Sequence, residues 1–359
     1  MYRKYYEDKG MNKGNYFKER GLSFIIEALI GACVALFFCF SCAGHKTYYE
    51  ESGSVFHTLY HIKYESPTLL TDKIEAELQA FSLSLNPFHP HSIITKVNNN
   101  EDVEVDDWFL TVFNKAMEVS ERSGGAFDVT VAPLINLWGF GFANSDAITQ
   151  EKIDSILPFV GYRKIRIENR KVIKDDPRIQ LNFSAIAKGY ASDVIAALLE
   201  REGVNNYMVE IGGEVVVKGK NPNGLCWRVG INKPDDDAFG INTALENTAE
   251  LCTPCGMATS GDYRNFRIIE GKKYGHTIDP ITGYPSGQDI LSATIIAPDC
   301  MTADAYATAF MAMGIEAASQ MAETIPEIHY YLIYADPLTG NHKTLASPGM
   351  KSKLRIKSG

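Results

Sequence analysis

At 359 residues and 45% hydrophobic content the chain is long enough to bury a substantial core, in one large domain or two closely packed subdomains. Its formal net charge is −9, and an acidic surface lacks the basic footprint that nucleic-acid binding requires. Composition and charge together exclude a disordered chain and a nucleic-acid binder.

The first forty residues stand apart. Arg3, Lys4, Lys9, Lys13, Lys18 and Arg20 precede a nearly unbroken apolar stretch over residues 28–40. A basic region followed by an apolar one of this length is the layout of a secretory signal. A membrane-spanning helix needs about 20 apolar residues, and Glu27 interrupts the run at its upstream end. The stretch closes on Phe40-Ser41-Cys42-Ala43-Gly44, which resembles a bacterial lipoprotein cleavage site, although Cys39 and Phe40 depart from the usual pattern. Cys42 is therefore the expected lipidation site, with ordinary cleavage or an uncleaved anchor as alternatives. Met11 competes with Met1 as initiator. The expected organisation is a signal at 1–41, a tether at 42–52 and a folded domain at 53–359, exported and lipid-anchored on the extracytoplasmic side. Loss of residues 1–41 removes six Lys/Arg and four Asp/Glu, which takes the net charge from −9 to −11.

In chain order, a strand is expected at 55–64. A helix follows at 71–84, with Ile74, Leu78 and Phe81 at helical spacing. After a Pro/His-rich loop at 86–91, residues 106–123 read as a helix that buries Phe109, Val112, Phe113, Ala116 and Met117 and stops at Gly124-Gly125. A short helix covers 151–157, and two strands between 165 and 181 turn near Asp175-Asp176-Pro177. A helix at 187–202 ends at Gly203, and a hairpin turns at Gly212-Gly213. Strands are expected near 226–231, 250–259, 264–269 and 290–296, then a helical run over 302–324 and a hairpin turning at 336–340. Hairpins dominate the middle, so the fold class is α+β, with largely antiparallel sheets and packed helices.

Four cysteines remain beyond the leader and Cys42: Cys226, Cys252, Cys255 and Cys300. The spacing Cys252-Thr-Pro-Cys255 fits a redox pair, half a zinc site or an optional disulfide. No second Cys-x-x-Cys or His pair completes a zinc set.

Four segments and one helix are dense in residues that packing explains poorly. Asp128 lies between apolar neighbours in Gly-Ala-Phe-Asp, where it either caps local amides or meets a ligand. Lys188 follows small residues at a helix start, which lets an anion approach backbone amides beside a compact positive charge. No P-loop or dinucleotide glycine fingerprint is present. Thr259-Ser-Gly-Asp-Tyr-Arg-Asn-Phe266 is the third segment. The fourth is Tyr274-Gly-His-Thr-Ile-Asp-Pro-Ile-Thr-Gly-Tyr-Pro285, whose His276 is either structural or a base for a hydroxyl nucleophile. Asp304 and Thr308, four apart in an Ala-rich run, share a helix face. Thr302 is expected to cap that helix and Gly314 to end it in a left-handed conformation. The pair either holds a hard cation such as Mg2+ or serves the helix itself, by dipole and back-bonding. A base, an anion clamp and a metal would together suit phosphoryl transfer from a pyrophosphate.

These segments, in this order and over about residues 55–334, closely resemble the ApbE family, the FAD:protein FMN transferases. The likeness rests on Gly-Ala-Phe-Asp followed by Pro-Leu and Trp-Gly-Phe-Gly, Ala-Lys-Gly-Tyr-Ala, His-x-Ile-Asp-Pro-x-Thr-Gly and Ala-Asp-Ala-x-Ala-Thr. The resemblance implies an ApbE-like (T-fold-like) architecture and an exported, Mg2+-dependent enzyme. Such an enzyme splits FAD, joins FMN through its phosphate to a threonine hydroxyl of an acceptor protein and releases AMP. It implies FAD contacts at Ala126, Phe127, Asp128, Asn182, Lys188 and Ile278. It further implies Mg2+ ligation by the Ala185 carbonyl with Asp304 and Thr308, and His276 as the base. Asn182 stands where many members carry Asp, Phe56 where many carry Met, and residues 86–88 lack the Ser-Thr-Tyr often found near the flavin ring. The implied partners are acceptor flavoproteins bearing Asp-(Gly/Ser)-(Ala/Ser)-Thr-(Ser/Thr), such as subunits of Rnf or Nqr type redox pumps. The nearest matches in this chain, at 256–260 and 291–295, lack the leading Asp, so it is not expected to be its own acceptor. The alternatives are FAD pyrophosphate hydrolysis to FMN and AMP, with water as nucleophile, and a non-catalytic flavin-binding lipoprotein.

Overall fold

The computed structural model describes residues 47–355, apart from 142–147, 235–243, 263–265, 270–271, 288, 337–338, 340 and the side chains of 272–273. The leader, Cys42 and the first part of the expected tether lie outside the described residues, as does the start of the strand expected at 264. Strand β1 (Thr47–Val55) occupies the end of that tether and pairs in sequence with β2 (Thr58–Ser66). The strand expected at 55–64 is therefore the second arm of a hairpin. Its first arm, Thr-Tyr-Tyr-Glu-Glu-Ser-Gly-Ser-Val, is mostly polar and buries none of its residues fully, so it carries little apolar signal. The turn is made by Phe56 and His57, both left-handed, at φ 51° and 59°.

Helix α1 (Thr71–Leu85) matches its expected span. Two helices of six residues each, α2 (Ile93–Asn98) and α4 (Ala132–Leu137), are too short to show a period; between them lies α3 (Asp107–Arg122). Helix α3 starts where the Asp106 carboxylate accepts the Phe109 N–H at 2.8 Å. After α5 (Gln150–Ile156), strands β3 (Ile165–Glu168) and β4 (Lys171–Lys174) turn at Asn169-Arg170, not at 175–177. Next come α6 (Ala187–Arg201), β5 (Tyr207–Ile211) and β6 (Glu214–Lys218).

The strand expected at 250–259 is two strands in different sheets. Cys252-Thr-Pro254 separates β8 (Leu245–Leu251), which pairs with β7 (Trp227–Asn232), from β9 (Cys255–Gly261) in the main sheet. Proline cannot supply a ladder N–H, so the break falls there. Strands β10 (Phe266–Ile269) and β11 (Lys272–Gly275) form a separate pair. Beyond β12 (Ile290–Ala297), the helical run divides at Gly314 into α7 (Cys300–Met313) and α8 (Ile315–Glu323). Gly314 has φ 80°, as expected, but the cap of α7 is Asp299, which accepts the Thr302 N–H at 2.7 Å. The chain ends with β13 (His329–Ala335), β14 (His342–Ala346) and a one-turn helix, α9 (Pro348–Lys351).

Eight strands form the main sheet in the order β1-β2-β5-β6-β9-β12-β13-β14. The pairings from β2 through β14 are all antiparallel, which bears out the α+β class. Alternate side chains of β6 face two different cores. Val216 joins α1, α3, α6 and α7 on one side, while Val215 and Val217 join Trp227, Ala249 and Leu251 of the β7–β8 hairpin on the other. Among its fourteen residues α7 buries all but Thr308 and Met313, and Asp304 is its single ionisable side chain apart from Cys300 and Tyr306. A helix apolar on every side belongs in a core, which leaves Asp304 to be explained.

Candidate active site

Helices α6 and α7 touch through Gly189. A Cβ there would stand 2.3 Å from the Cys300 carbonyl oxygen and 2.8 Å from Asp304 Cβ, so only glycine permits the approach. The Gly189 N–H donates to Asp304 Oδ2 at 3.0 Å. Gly189 lies in the first turn of α6, where N–H groups have no acceptor within the helix, and Asp304 supplies one. Among the described residues no backbone N–H donates to the Ala185 carbonyl, two residues before the start of α6. Thr308, one turn along α7, shares a hydrogen bond of 3.1 Å between its Oγ1 and Ser260 Oγ on β9.

The start of α7 is held by two carboxylates. Asp193, on α6, accepts the Cys300 N–H at 2.9 Å and the Met301 N–H at 2.8 Å, and Asp299 accepts the next one. Burial pushes the Asp193 carboxyl up to about 7, against the lowering effect of those two N–H donors.

Lys188 precedes Gly189 and donates from Nζ to Glu214 Oε1 at 2.5 Å. Desolvation would lower the Lys188 ammonium, but Glu214 and Asp304 overcome it and raise its pKa. Burial raises the Glu214 and Asp304 carboxyls, with Lys188 pulling both the other way. Lys188 thus pairs with Glu214 and lies within electrostatic reach of Asp304. The donor chemistry fits a hard cation: one carboxylate, one hydroxyl and one open carbonyl, all oxygen. No group of three or more His, Cys, Asp or Glu with metal-holding geometry occurs among the described residues.

Lys188 also lines a cavity of about 320 Å³ with Phe56, His57, Phe81, Leu85 and Phe88. The His57 and Phe88 rings lie 4.2 Å apart, centre to centre. An apolar, aromatic chamber with one cation at its wall suits a planar ring joined to a phosphate.

A second group gathers around His276. Its Nδ1 lies 3.0 Å from Asp262 Oδ1, without the alignment of a hydrogen bond, and its side chain is 38% exposed. Asp262 Oδ1 instead accepts the Thr277 hydroxyl at 3.0 Å and the Thr277 N–H at 3.3 Å. Gly275 lets the strand pass: a Cβ there would meet Asp262 Cγ at 2.3 Å. Because Asp262 follows the last residue of β9 and Ser260 lies on it, β9 links this group to Thr308. Ile278 is buried with Leu134, Trp138 and Ile153, bridged to Pro285, and the Trp138 indole N–H donates to the Gly283 carbonyl at 2.8 Å.

The expected flavin contacts divide. Lys188 reaches the cavity, and Ala185 and Asn182 belong to the turn leading into α6. Asn182 Oδ1 accepts the Ser184 N–H, and the Asn182 N–H donates to Val129 O, both at 2.7 Å, which ties that turn to the 126–130 loop. The carboxylate of Asp128 is engaged within its own surroundings. Its Oδ1 accepts the Thr130 N–H and hydroxyl at 2.7 and 2.6 Å, and its Oδ2 accepts the Tyr162 N–H at 2.7 Å. These are the local bonds of the capping reading, and Asp128 also lines a pocket with Gly124, Gly125 and Tyr162. Phe127 is buried in the main core, and Ala126 is half-buried beside it.

Glu214, Ser260, Asp262 and Asp193 were not expected in these roles. An acid heading the run Glu-Val-Val-Val was the one sequence signal for Glu214. Cys252 pairs with Cys226, not with Cys255, which is buried and free, so the spacing 252–255 is neither a redox pair nor half a zinc site.

The sequence model of the ApbE family matches residues 56–332. The chain belongs to the ApbE family. It is 38% identical over 284 residues to the FAD:protein FMN transferase of Vibrio cholerae serotype O1, covering 76% of this chain and 83% of that one. It is 32% identical over 294 residues to the FAD:protein FMN transferase of Escherichia coli K12, covering 79% and 82%. Among solved ApbE structures, the flavin transferase from Vibrio cholerae superposes with a TM-score of 0.77 at 34% identity, over 86% of this chain and 99% of that one. The apo flavinyl transferase of Pseudomonas stutzeri gives 0.75 at 27% identity, over 86% and 97%.

Proposed function

We propose that this ApbE-family enzyme transfers FMN from FAD to a threonine hydroxyl of an acceptor protein and releases AMP. The observation that carries the reading is the junction of α6 and α7, where Lys188 lines the aromatic cavity and the next residue, Gly189, donates its N–H to the buried Asp304. Ala185, Asp304 and Thr308 would hold Mg2+, which when bound to the pyrophosphate would offset charge that builds as AMP leaves.

The chemistry assigned to the chain's own groups is a displacement at the FMN phosphorus. The threonine oxygen forms the new P–O bond, and its proton passes to His276. The bond from that phosphorus to the bridging oxygen breaks, and AMP departs with the electron pair. Lys188 presents a fixed positive charge to the phosphate oxygens, which stabilises the added negative charge without reorganisation. Asp262, 3.0 Å from His276 Nδ1, places a negative charge beside the ring that would favour the imidazolium formed on proton uptake.

Export and lipidation at Cys42 belong to the same proposal, with the Cys226–Cys252 disulfide in support, since such bonds persist in oxidising compartments. The acceptors would be extracytoplasmic flavoproteins carrying the threonine motif, with Rnf or Nqr type subunits as the first to test. The test incubates residues 43–359 with FAD, Mg2+ and an acceptor domain. Covalent FMN with stoichiometric AMP is the expected result. AMP without labelling would replace transfer by hydrolysis, and neither product would leave flavin binding alone. For the anchor, Cys42→Ala should release the protein from membranes, and retention would overturn lipidation.

A further inference from the structure

Glu214 lies outside every role assigned above, yet it is the partner on which Lys188 depends. It opens β6 directly after Gly212 and Gly213, both left-handed at φ 68° and 102°. Its side chain is 4% exposed, against 30% for Lys188. Oε1 accepts from Lys188 Nζ at 2.5 Å, and Oε2 has no hydrogen-bond partner among the described residues, so Lys188 is the side chain that orients the carboxylate. Gly212 makes room for the pair: a Cβ there would stand 3.0 Å from Lys188 Cδ and 3.2 Å from Glu214 Oε2. The Ser192 hydroxyl, one turn along α6 from Lys188, lies 3.2 Å from the Lys188 carbonyl and 3.1 Å from the Glu214 carbonyl, tying strand to helix. Burying an ion pair costs desolvation that apolar residues of the same size avoid, so the pair is a poor device for stability alone.

We propose that Glu214 is a positioning residue for the transfer, holding the Lys188 ammonium in one place on the cavity wall. This rests on the FAD reading above. A lysine on a four-carbon stem has many rotamers, and fixing its head in advance removes a cost that would otherwise fall in the transition state. The effect should therefore lie on kcat more than on FAD affinity.

The test compares wild type, Glu214→Gln, Lys188→Met and the double variant, following covalent FMN on the acceptor and FAD binding by flavin fluorescence. Glu214→Gln is expected to lower kcat roughly tenfold, with FAD affinity held within about threefold. In the Lys188→Met background the same change should cost less than about twofold, because the residue acts through Lys188. An equal loss in both backgrounds, as a merely structural role would give, overturns the proposal, and so does an unchanged kcat. Should Glu214→Gln fail to fold, Glu214→Asp keeps the charge but shortens the reach; intermediate kcat then supports the proposal and wild-type kcat overturns it. Failure of the flavin-transfer reading is visible separately, as wild type that labels no acceptor, and it overturns both.

Discussion

A carboxylate inside an apolar helix is the residue-scale fact from which the chemistry follows. Asp304 is 2% exposed, and among the described residues it accepts a hydrogen bond from the Gly189 amide, which weakly compensates a full charge. Asp304→Ala is expected to lower kcat by about 10²–10³, with added Mg2+ restoring only part, because the proposed metal site would lose one of its three protein oxygens. Full activity of that variant in a metal titration would remove Asp304 from the metal site. His276 occupies a different setting, half-open to solvent and beside Asp262. His276→Ala should lower the labelling rate by about 10²-fold, and the rate profile from pH 5 to 8 should flatten. An unaltered profile would assign the proton to another group. Sequence alone raised both residues, and for Asp128 it offered both local capping and, by the family resemblance, an FAD contact. The hydrogen bonds from Thr130 and Tyr162 show how its carboxylate is held locally.

At the scale of elements, α7 is set in place by carboxylates at its start. Asp193 and Asp299 satisfy N–H groups that a buried helix end would otherwise leave unpaired. The folded Asp193 carboxyl is raised to about 7 from 3.8, so folding favours its protonated form. That stability is fully present below the unfolded value and is lost as pH rises through about 7. Asp304 and Glu214, also raised by burial, act in the same direction. Thermal melts of the metal-free protein should therefore show Tm falling as pH rises over this range, with a shallower slope in Asp193→Asn. An identical slope in that variant would rule out Asp193 as a contributor. The sequence pattern located α7 within two residues but assigned its cap to Thr302, since the stretch Asp-Cys-Met-Thr offers two cap residues and local propensity does not choose between them. Helix α4 and strand β1 were missed because six residues and a polar strand carry too little periodicity.

The whole molecule is a sheet with a core on each face, and only one face bears the site. On the other, Cys226 just before β7 and Cys252 just after β8 close the open end of the hairpin that covers Val215, Val217 and Met257. Replacing both cysteines by serine should lower stability by about 2–4 kcal/mol in denaturant titration, while leaving kcat of the folded protein unchanged. A variant as stable as wild type would show that the hairpin is held by packing alone. The family likeness was legible along the chain because its motifs are contiguous, each carried by a single turn or helix start.

What the sequence determined by itself was the α+β class and the order of the motif segments, and it singled out Lys188, His276, Asp304 and Thr308 as the candidates for the proposed chemistry. Tertiary structure alone decided which groups meet. The Lys188–Glu214 pair joins residues 26 apart, and the Gly189–Asp304 bond joins residues 115 apart. Local propensity carries no information about such partners, because their contact is fixed by how closely two helices and a strand approach. That approach depends on the missing side chain of Gly189, on a left-handed turn at Gly212-Gly213, and on a core that forms only when the whole sheet is assembled.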